Sequence, residues 1–367
     1  MNHNLKKILP KLILFLVLTI VVIIVIFSLN DITEIGKVLK NVNGAWLLFA
    51  FLFLLLYMIF YPLPLYFLGR SKEEKSIGFF DSAMIGTMEY FFNGITPFSS
   101  GGQPFQIYAY RKIGVELKRS SGIVLMNFVI TQTAIVFLCL CSLFFFHELT
   151  NGVLYLQIMI GIGLIINIVI LALFCSVGLS KTIRTLLTRG IGWIIHRKVF
   201  KGKLLKFEDS FNEYCRGAQE TFKALLSQKL KFLLSIAVKV IGLICYYMIP
   251  FFILHALGIE VGVDQLALIT AMTAFSVAMT CYIPTPGATG GIEFAFRTLF
   301  ITIIPALSDS LATSGLLLWR LITYYFLMLV SFIVYLIFER VVACREKKNK
   351  DKEKLENTTC QTTENEL

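Results

Sequence analysis

Apolar runs of the length a bilayer demands alternate along this chain with short polar joints. About 20 consecutive apolar residues span the hydrocarbon core as a helix, and such runs recur at residues 12–29, 46–68, 121–146, 153–179, 232–257 and 314–338. Two further stretches, 79–110 and 266–304, are hydrophobic but interrupted. The first carries Asp81 and Glu89 and is broken at Asn93-Gly94 and again between Pro97 and Pro104; the second is broken from Pro284 to Gly291. A helix break frees backbone N–H and C=O groups that lipid cannot satisfy, so each break must face protein, water or a polar ligand. The pattern therefore predicts an all-α polytopic membrane protein with about six full transmembrane helices and two re-entrant, broken helical hairpins.

Charge orients this layout. Basic clusters at Lys6, Lys7 and Lys11, at Arg70, Lys72 and Lys75, at Arg111, Lys112, Lys118 and Arg119, throughout 180–231 and after Arg340 all fall at joints that can share one side. By the positive-inside rule that side is the cytoplasm. Elsewhere stand only Lys37 and Lys40 in a first outer loop, and Lys239, Arg297 and Arg320 within apolar runs. Both termini are then cytoplasmic, the first hairpin opens inward and the second outward. The net charge of +11 is explained by cytoplasmic loops and needs no nucleic acid. The first run is too long, and too poor in a cleavage site, for a signal peptide.

Composition narrows the function classes. With 57% hydrophobic and 16% charged residues, against roughly 25% charged in soluble domains, no room remains for a separate soluble enzyme domain. The eight cysteines are scattered without a CxxC pair and the four histidines lack metal-ligand spacing, so no metal and no cofactor is expected. Walker and Rossmann phosphate loops are absent.

The chain divides into a membrane domain, 1–340, and a charged cytoplasmic tail, 341–367, whose composition predicts disorder. The domain holds a first half at about 45–179, a basic connector at 180–231 and a second half at about 232–340. In the connector, Ile183, Leu186, Leu187, Ile191, Ile194 and Ile195 recur at helical spacing among basic residues. That spacing suits either an interfacial helix on anionic lipid or a solvated connector.

The two breaks resemble each other. Thr96-Pro97-Phe98-Ser99-Ser100-Gly101-Gly102 matches Thr285-Pro286-Gly287-Ala288-Thr289-Gly290-Gly291, and downstream the block from Ser121 to Phe128 matches that from Ser314 to Leu321, which sets Asn127 opposite Arg320. One copy opening inward and the other outward is the mark of an inverted-topology repeat, which brings discontinuous helices together near the midplane. Paired glycines let a headgroup approach the main chain, and free N–H groups at helix N-termini attract phosphate. The candidate substrate contacts are therefore Thr96, Pro97, Gly101, Gly102 and Gln103 in the first break, Thr285, Pro286, Gly290, Gly291 and Glu293 in the second, and Arg320. Secondary candidates are Glu89, Asn93, Asn127 and Arg297. Glu293 and Arg297 stand at i, i+4, a spacing that permits pairing. Glu293 with Arg320 could equally form a structural ion pair, and Arg320 could hold a phosphodiester. Lys239 reads as a residue snorkelling toward the cytoplasmic interface, and Tyr90, Phe91, Phe92, Tyr324 and Tyr325 as packing and interface anchors.

Asn93-Gly94-Ile95-Thr96-Pro97-Phe98-Ser99-Ser100-Gly101-Gly102-Gln103-Pro104-Phe105-Gln106, with the block from Ile283 to Glu293 and Trp319-Arg320-Leu321-Ile322-Thr323-Tyr324-Tyr325, resembles the transmembrane region of bacterial lysylphosphatidylglycerol synthase/flippase proteins, the multiple peptide resistance factor family. The resemblance runs from about residue 10 to 340. It implies a flippase in the bacterial plasma membrane that exposes aminoacylated phosphatidylglycerol, or a related anionic phospholipid, on the outer leaflet and so resists cationic antimicrobial peptides. In that family the lysyl transfer belongs to a separate C-terminal domain, and only 27 residues follow Arg340 here. Enzyme activity of the chain by itself is not expected. The alternatives are a phosphatidylglycerol lysyltransferase and a membrane subunit that docks a separate synthase. The expected partners are the phospholipid, and beyond it such a synthase or a second copy of the chain.

Overall fold

The computed structural model describes residues 40, 42–70, 76–146, 154–186, 189, 205–280, 283–304 and 307–364. The expected span at 12–29, the outer turn at 147–152 and most of the stretch 183–198 lie outside the described residues. Among the described residues all regular structure is helical.

Asn43 starts the described bundle by accepting the Ala45 N–H on its side chain, which caps α1 (Gly44–Phe60). The span continues as α2 (Leu63–Gly69) after a break at Tyr61-Pro62. Prolines at 62 and 64 remove two helical donors, and the Leu65 N–H turns to the Pro62 carbonyl, which leaves the Tyr61 carbonyl without its α-helical partner. The first broken pair is α3 (Phe79–Ile95) and α4 (Gly102–Lys112); α5 (Leu117–Phe146) and α6 (Leu154–Leu179) follow. The connector contributes α7 (Leu205–Ser227), which packs on α5 and α6 with Phe222 fully buried. After α8 (Lys229–Ala256) the second broken pair is α9 (Leu266–Thr280) and α10 (Gly291–Ile303). The last span runs from α11 (Asp309–Arg320) through a π-helical segment (Leu321–Phe326) into α12 (Leu327–Glu364).

Six helical segments among the described residues are long and apolar enough to cross a membrane, by length and composition. Five coincide with expected spans. The sixth, Val263–Thr280, is the incoming arm of the second broken stretch. Helix α12 extends to Glu364, so the backbone of the segment expected to be disordered from residue 341 is helical as far as that residue. Its Lys and Glu residues are good helix formers.

Among the described residues the bundle keeps two apolar cores. One gathers Leu54, Ile253, Phe275, Phe300 and Trp319; the other gathers Ile85, Met88, Tyr110, Ile123 and Phe338. At the end nearer the first core the Asn43 N–H donates to the Ala256 carbonyl at 2.8 Å and Tyr155 meets Thr302. At the other end the Ile77 N–H donates to the Gly69 carbonyl, and Arg345 pairs with Asp81 at 3.0 Å. The outer surfaces of α1, α5 and α6 present Leu48, Phe144 and Ile165 more than half exposed. A bilayer is the solvent that tolerates such faces. Between helices, polar side chains tie the backbone together: Gln132 donates to the Asn167 carbonyl oxygen at 3.0 Å, and Asn167 donates to the Ala278 carbonyl at 2.9 Å, joining α5, α6 and α9.

Candidate functional site

The two breaks share a backbone conformation. Thr96 (φ −112°, ψ 146°) and Thr285 (φ −112°, ψ 151°) are both extended. Each is followed by a proline and then by two residues of positive φ: Phe98 (58°) and Ser99 (48°) in one turn, Gly287 (60°) and Ala288 (56°) in the other. Three of these four are not glycine, and each costs on the order of 1–3 kcal/mol of strain that surrounding contacts must hold. The turns diverge next, for Gly101 is helical while Gly290 takes φ 92°.

Each turn consumes its own hydroxyls. Thr96 donates to the Phe92 carbonyl at 2.7 Å and accepts the Gly101 N–H at 2.8 Å. Thr285 donates to the Thr289 carbonyl at 2.8 Å. In the first hairpin the buried Glu89 accepts from Gln106 at 2.9 Å and from Asn93 and Gln103 at 3.4 Å each, while the Asn93 carbonyl oxygen accepts the Gly102 N–H at 2.8 Å. Gly102 is glycine for space: a Cβ there would stand 2.5 Å from Glu89 Cγ and 2.6 Å from Asn93 Oδ1. In the second hairpin Glu293 Oε2 accepts the Gly290 N–H at 2.6 Å, half of a capping box at the start of α10, and Oε1 accepts from Arg320 Nε at 2.6 Å. Arg320 Nη2 donates to the Gly287 carbonyl at 3.2 Å and to Thr289 Oγ1 at 3.4 Å, and the guanidinium lies 4.5 Å from the Tyr324 ring centroid. Among the described residues, Arg320 Nη1 has no hydrogen-bond partner.

The turns meet each other. Tyr324 donates to the Gly94 carbonyl at 2.9 Å and lies so close to Gly287 that a Cβ there would be 2.3 Å from its ring. Between the tips is a partly open cavity of about 160 Å³, lined among others by Tyr57, Tyr90, Asn93, Tyr246, Gly287 and Arg320.

Of the two pairings open to Glu293 the structure forms the one with Arg320, because the Gly290 cap turns its carboxylate toward the last span, while Arg297 pairs with Asp309 at 3.0 Å at the bundle end. Lys239 does not snorkel. It is fully buried, donates to the Tyr61 carbonyl at 2.7 Å and stands 3.5 Å from that ring centroid. The break at Tyr61-Pro62 freed the carbonyl that holds it. Asn127 is buried on α5 and, among the described residues, joins neither hairpin network; its side-chain oxygen has no hydrogen-bond partner. Gln106, Thr289, Gly287 and the tyrosines Tyr57, Tyr90 and Tyr246 were not singled out from the sequence as site residues. The turn alignment, which sets Gly287 opposite Phe98 and Thr289 opposite Ser100, was the available signal for two of them.

Helices apolar toward the outside, six of them among the described residues long and apolar enough to cross a bilayer, make this a multi-pass helical membrane protein. A family model described as the lysylphosphatidylglycerol synthase TM region matches residues 12–331, and the chain belongs to that family. It is 26% identical over 319 residues to a UPF0104 membrane protein of Archaeoglobus fulgidus, a match that covers 84% of this chain and 92% of that one. It is 21% identical over 331 residues to an uncharacterized protein of Mycoplasma pneumoniae, with 85% and 82% covered.

Proposed function

We propose that the chain moves a phospholipid between leaflets, its headgroup passing through the cavity between the two broken hairpins while the acyl tails stay in the bilayer. The observation that carries this reading is the meeting of two turns of matching conformation around a cavity that includes Arg320. In this reading the hairpins are re-entrant from opposite faces, the termini are cytoplasmic, and the halves at 45–179 and 232–340 rock against each other as inverted repeats do. At about 160 Å³ the cavity is too small for the acyl chains, which in this reading stay outside it. Arg320 Nη1 offers a charge-assisted donor to a phosphodiester oxygen, and Asn93 with the tyrosine hydroxyls offers neutral partners to the rest of the headgroup. Glu293 acts as the group that aims the guanidinium.

In this reading the cargo is phosphatidylglycerol or its aminoacyl ester, as the family's description suggests, and the membrane is a bacterial plasma membrane. Exposure of the cationic ester on the outer leaflet lowers surface negative charge and so weakens the pull on cationic peptides. Leaflet-specific amine labelling of aminoacyl-phosphatidylglycerol, in cells with and without the chain, tests the reading. Equal outer-leaflet labelling in the two strains counts against it, and so does full labelling in an Arg320→Ala strain that keeps normal protein levels. The purified chain supplied with Lys-tRNA and phosphatidylglycerol is expected to make no lipid product; formation of lysyl-lipid would replace transport by transfer.

A further inference from the structure

Glu89 and Lys239 are charged side chains set deep among apolar helices, and the lipid pathway as drawn uses neither. Lys239 is wholly enclosed and Glu89 almost so. They interact electrostatically, yet no ion pair with an N–O distance within 4 Å joins them among the described residues. Their other partners are neutral: three side-chain amides at Glu89, and a backbone carbonyl and an aromatic ring at Lys239. A carboxylate at this depth is costly without a close counter-ion, and such groups mark ion or proton sites. Position adds a second argument. Asn93, which donates to Glu89, also lines the cavity, as does Tyr90, the next residue along α3. Only one side-chain layer separates the carboxylate from the space between the hairpin tips.

We propose that Glu89 is a proton-binding site one side-chain layer behind the cavity, with Lys239 acting on it through its charge. This deepens the lipid-moving reading and rests on it for its purpose. A proton arriving from the cavity adds to one carboxylate oxygen, and the resulting neutral acid gives up its attraction to the Lys239 ammonium, which keeps its own three hydrogens. The amides of Gln106 and Gln103 lose a charged acceptor, so two of the ties between α3 and α4 weaken together. Proton occupancy is thereby linked to how tightly the first hairpin stays shut.

The groups facing Glu89 come from several elements. Tyr57 and Tyr61 approach from α1 and its break, Tyr90 from α3 itself, Tyr110 from α4 and Lys239 from α8. From α12, Tyr335 packs edge-on against Phe92. From α2, Tyr66 meets Phe79, where α3 begins. The Asp81–Arg345 pair also belongs to that far end of the hairpin. Lys239 is the cation among the groups that act directly on the carboxylate.

Infrared difference spectra of the purified full chain, taken between acid and alkaline buffer, read the proton without any need for transport. A protonated-carboxyl band is expected that is lost in Glu89→Gln and kept in Glu293→Gln. Lys239→Gln is expected to move the pH at which the band is half lost, and Arg345→Gln to leave it in place. A spectrum unchanged by Glu89→Gln, or a half-loss indifferent to Lys239→Gln, overturns the proposal. Vesicles holding the chain and NBD-phosphatidylglycerol, read by dithionite quenching under an imposed pH gradient, give the second arm. One proton per lipid predicts a shift in leaflet ratio of up to about tenfold per pH unit, absent in Glu89→Gln. Lipid movement indifferent to the gradient overturns the proton linkage and leaves the lipid reading standing. No lipid movement with the Glu89 band present removes the lipid reading and upholds the proton site.

Discussion

The two broken hairpins solve one backbone problem with different chemistry. Both turn through an extended threonine, a proline and two residues of positive φ. In the first, the acid lies on the incoming helix and is met by the amides of Asn93, Gln103 and Gln106. In the second it lies on the outgoing helix, caps that helix and is met by a guanidinium from the last span. The two turns therefore match in main-chain conformation more closely than in charge. The amide-bound acid ties its hairpin to itself, whereas the ion pair ties its hairpin to another helix.

Arg320→Ala should strike hardest. It leaves Glu293 facing the interior without its partner, a loss of about 3–5 kcal/mol for a buried pair broken on one side, read as a large drop in thermal stability in detergent. Gly102→Ala should cost about 1–3 kcal/mol through side-chain crowding against Glu89 and Asn93. Gly290→Ala meets open space and should cost about 1–3 kcal/mol through its positive φ alone. A pair of crystal structures separates the two causes: Glu89 should shift in the first variant, and the main chain of the turn in the second. Thr96→Val and Thr285→Val should each lose about 1 kcal/mol for one intramolecular hydrogen bond, with Thr96→Val the worse because it also strands the Gly101 N–H. Arg297→Ala should change stability by about 0–1 kcal/mol, since its pair with Asp309 is largely exposed. An effect on lipid movement as large as that of Arg320→Ala would contradict the division drawn here between a site pair and a surface pair.

Much of this was legible in the chain beforehand. Hydrophobic run length located five of the described spans, and the Thr-Pro motif located both turns, because bilayer thickness and proline geometry act locally. The fate of Lys239 was not legible. A lysine in an apolar helix can reach the interface or be held inside, and the deciding carbonyl sits on another span, where Pro62 and Pro64 break a run that reads as continuous by hydropathy. The partner of Glu293 was open for the same reason: spacing along one helix favours Arg297, while distance across the bundle selects Arg320. The tyrosines of α1, α3 and α8 converge only after folding, so each alone reads as packing.

The π segment at Leu321–Phe326 deserves a mechanical reading. Its wider i→i+5 winding lodges an extra residue in a helix that otherwise advances 3.6 residues per turn, so the faces before and after it fall out of phase. Ahead of it, Arg320 and Trp319 serve the second hairpin, the latter stacked on Phe296. Beyond it, Met328 lies under Gly94, and Phe332 and Tyr335 meet Phe91 and Phe92 of the first. One continuous rod thus grips both broken hairpins on differently aimed faces, so a twist of that rod would act on both at once.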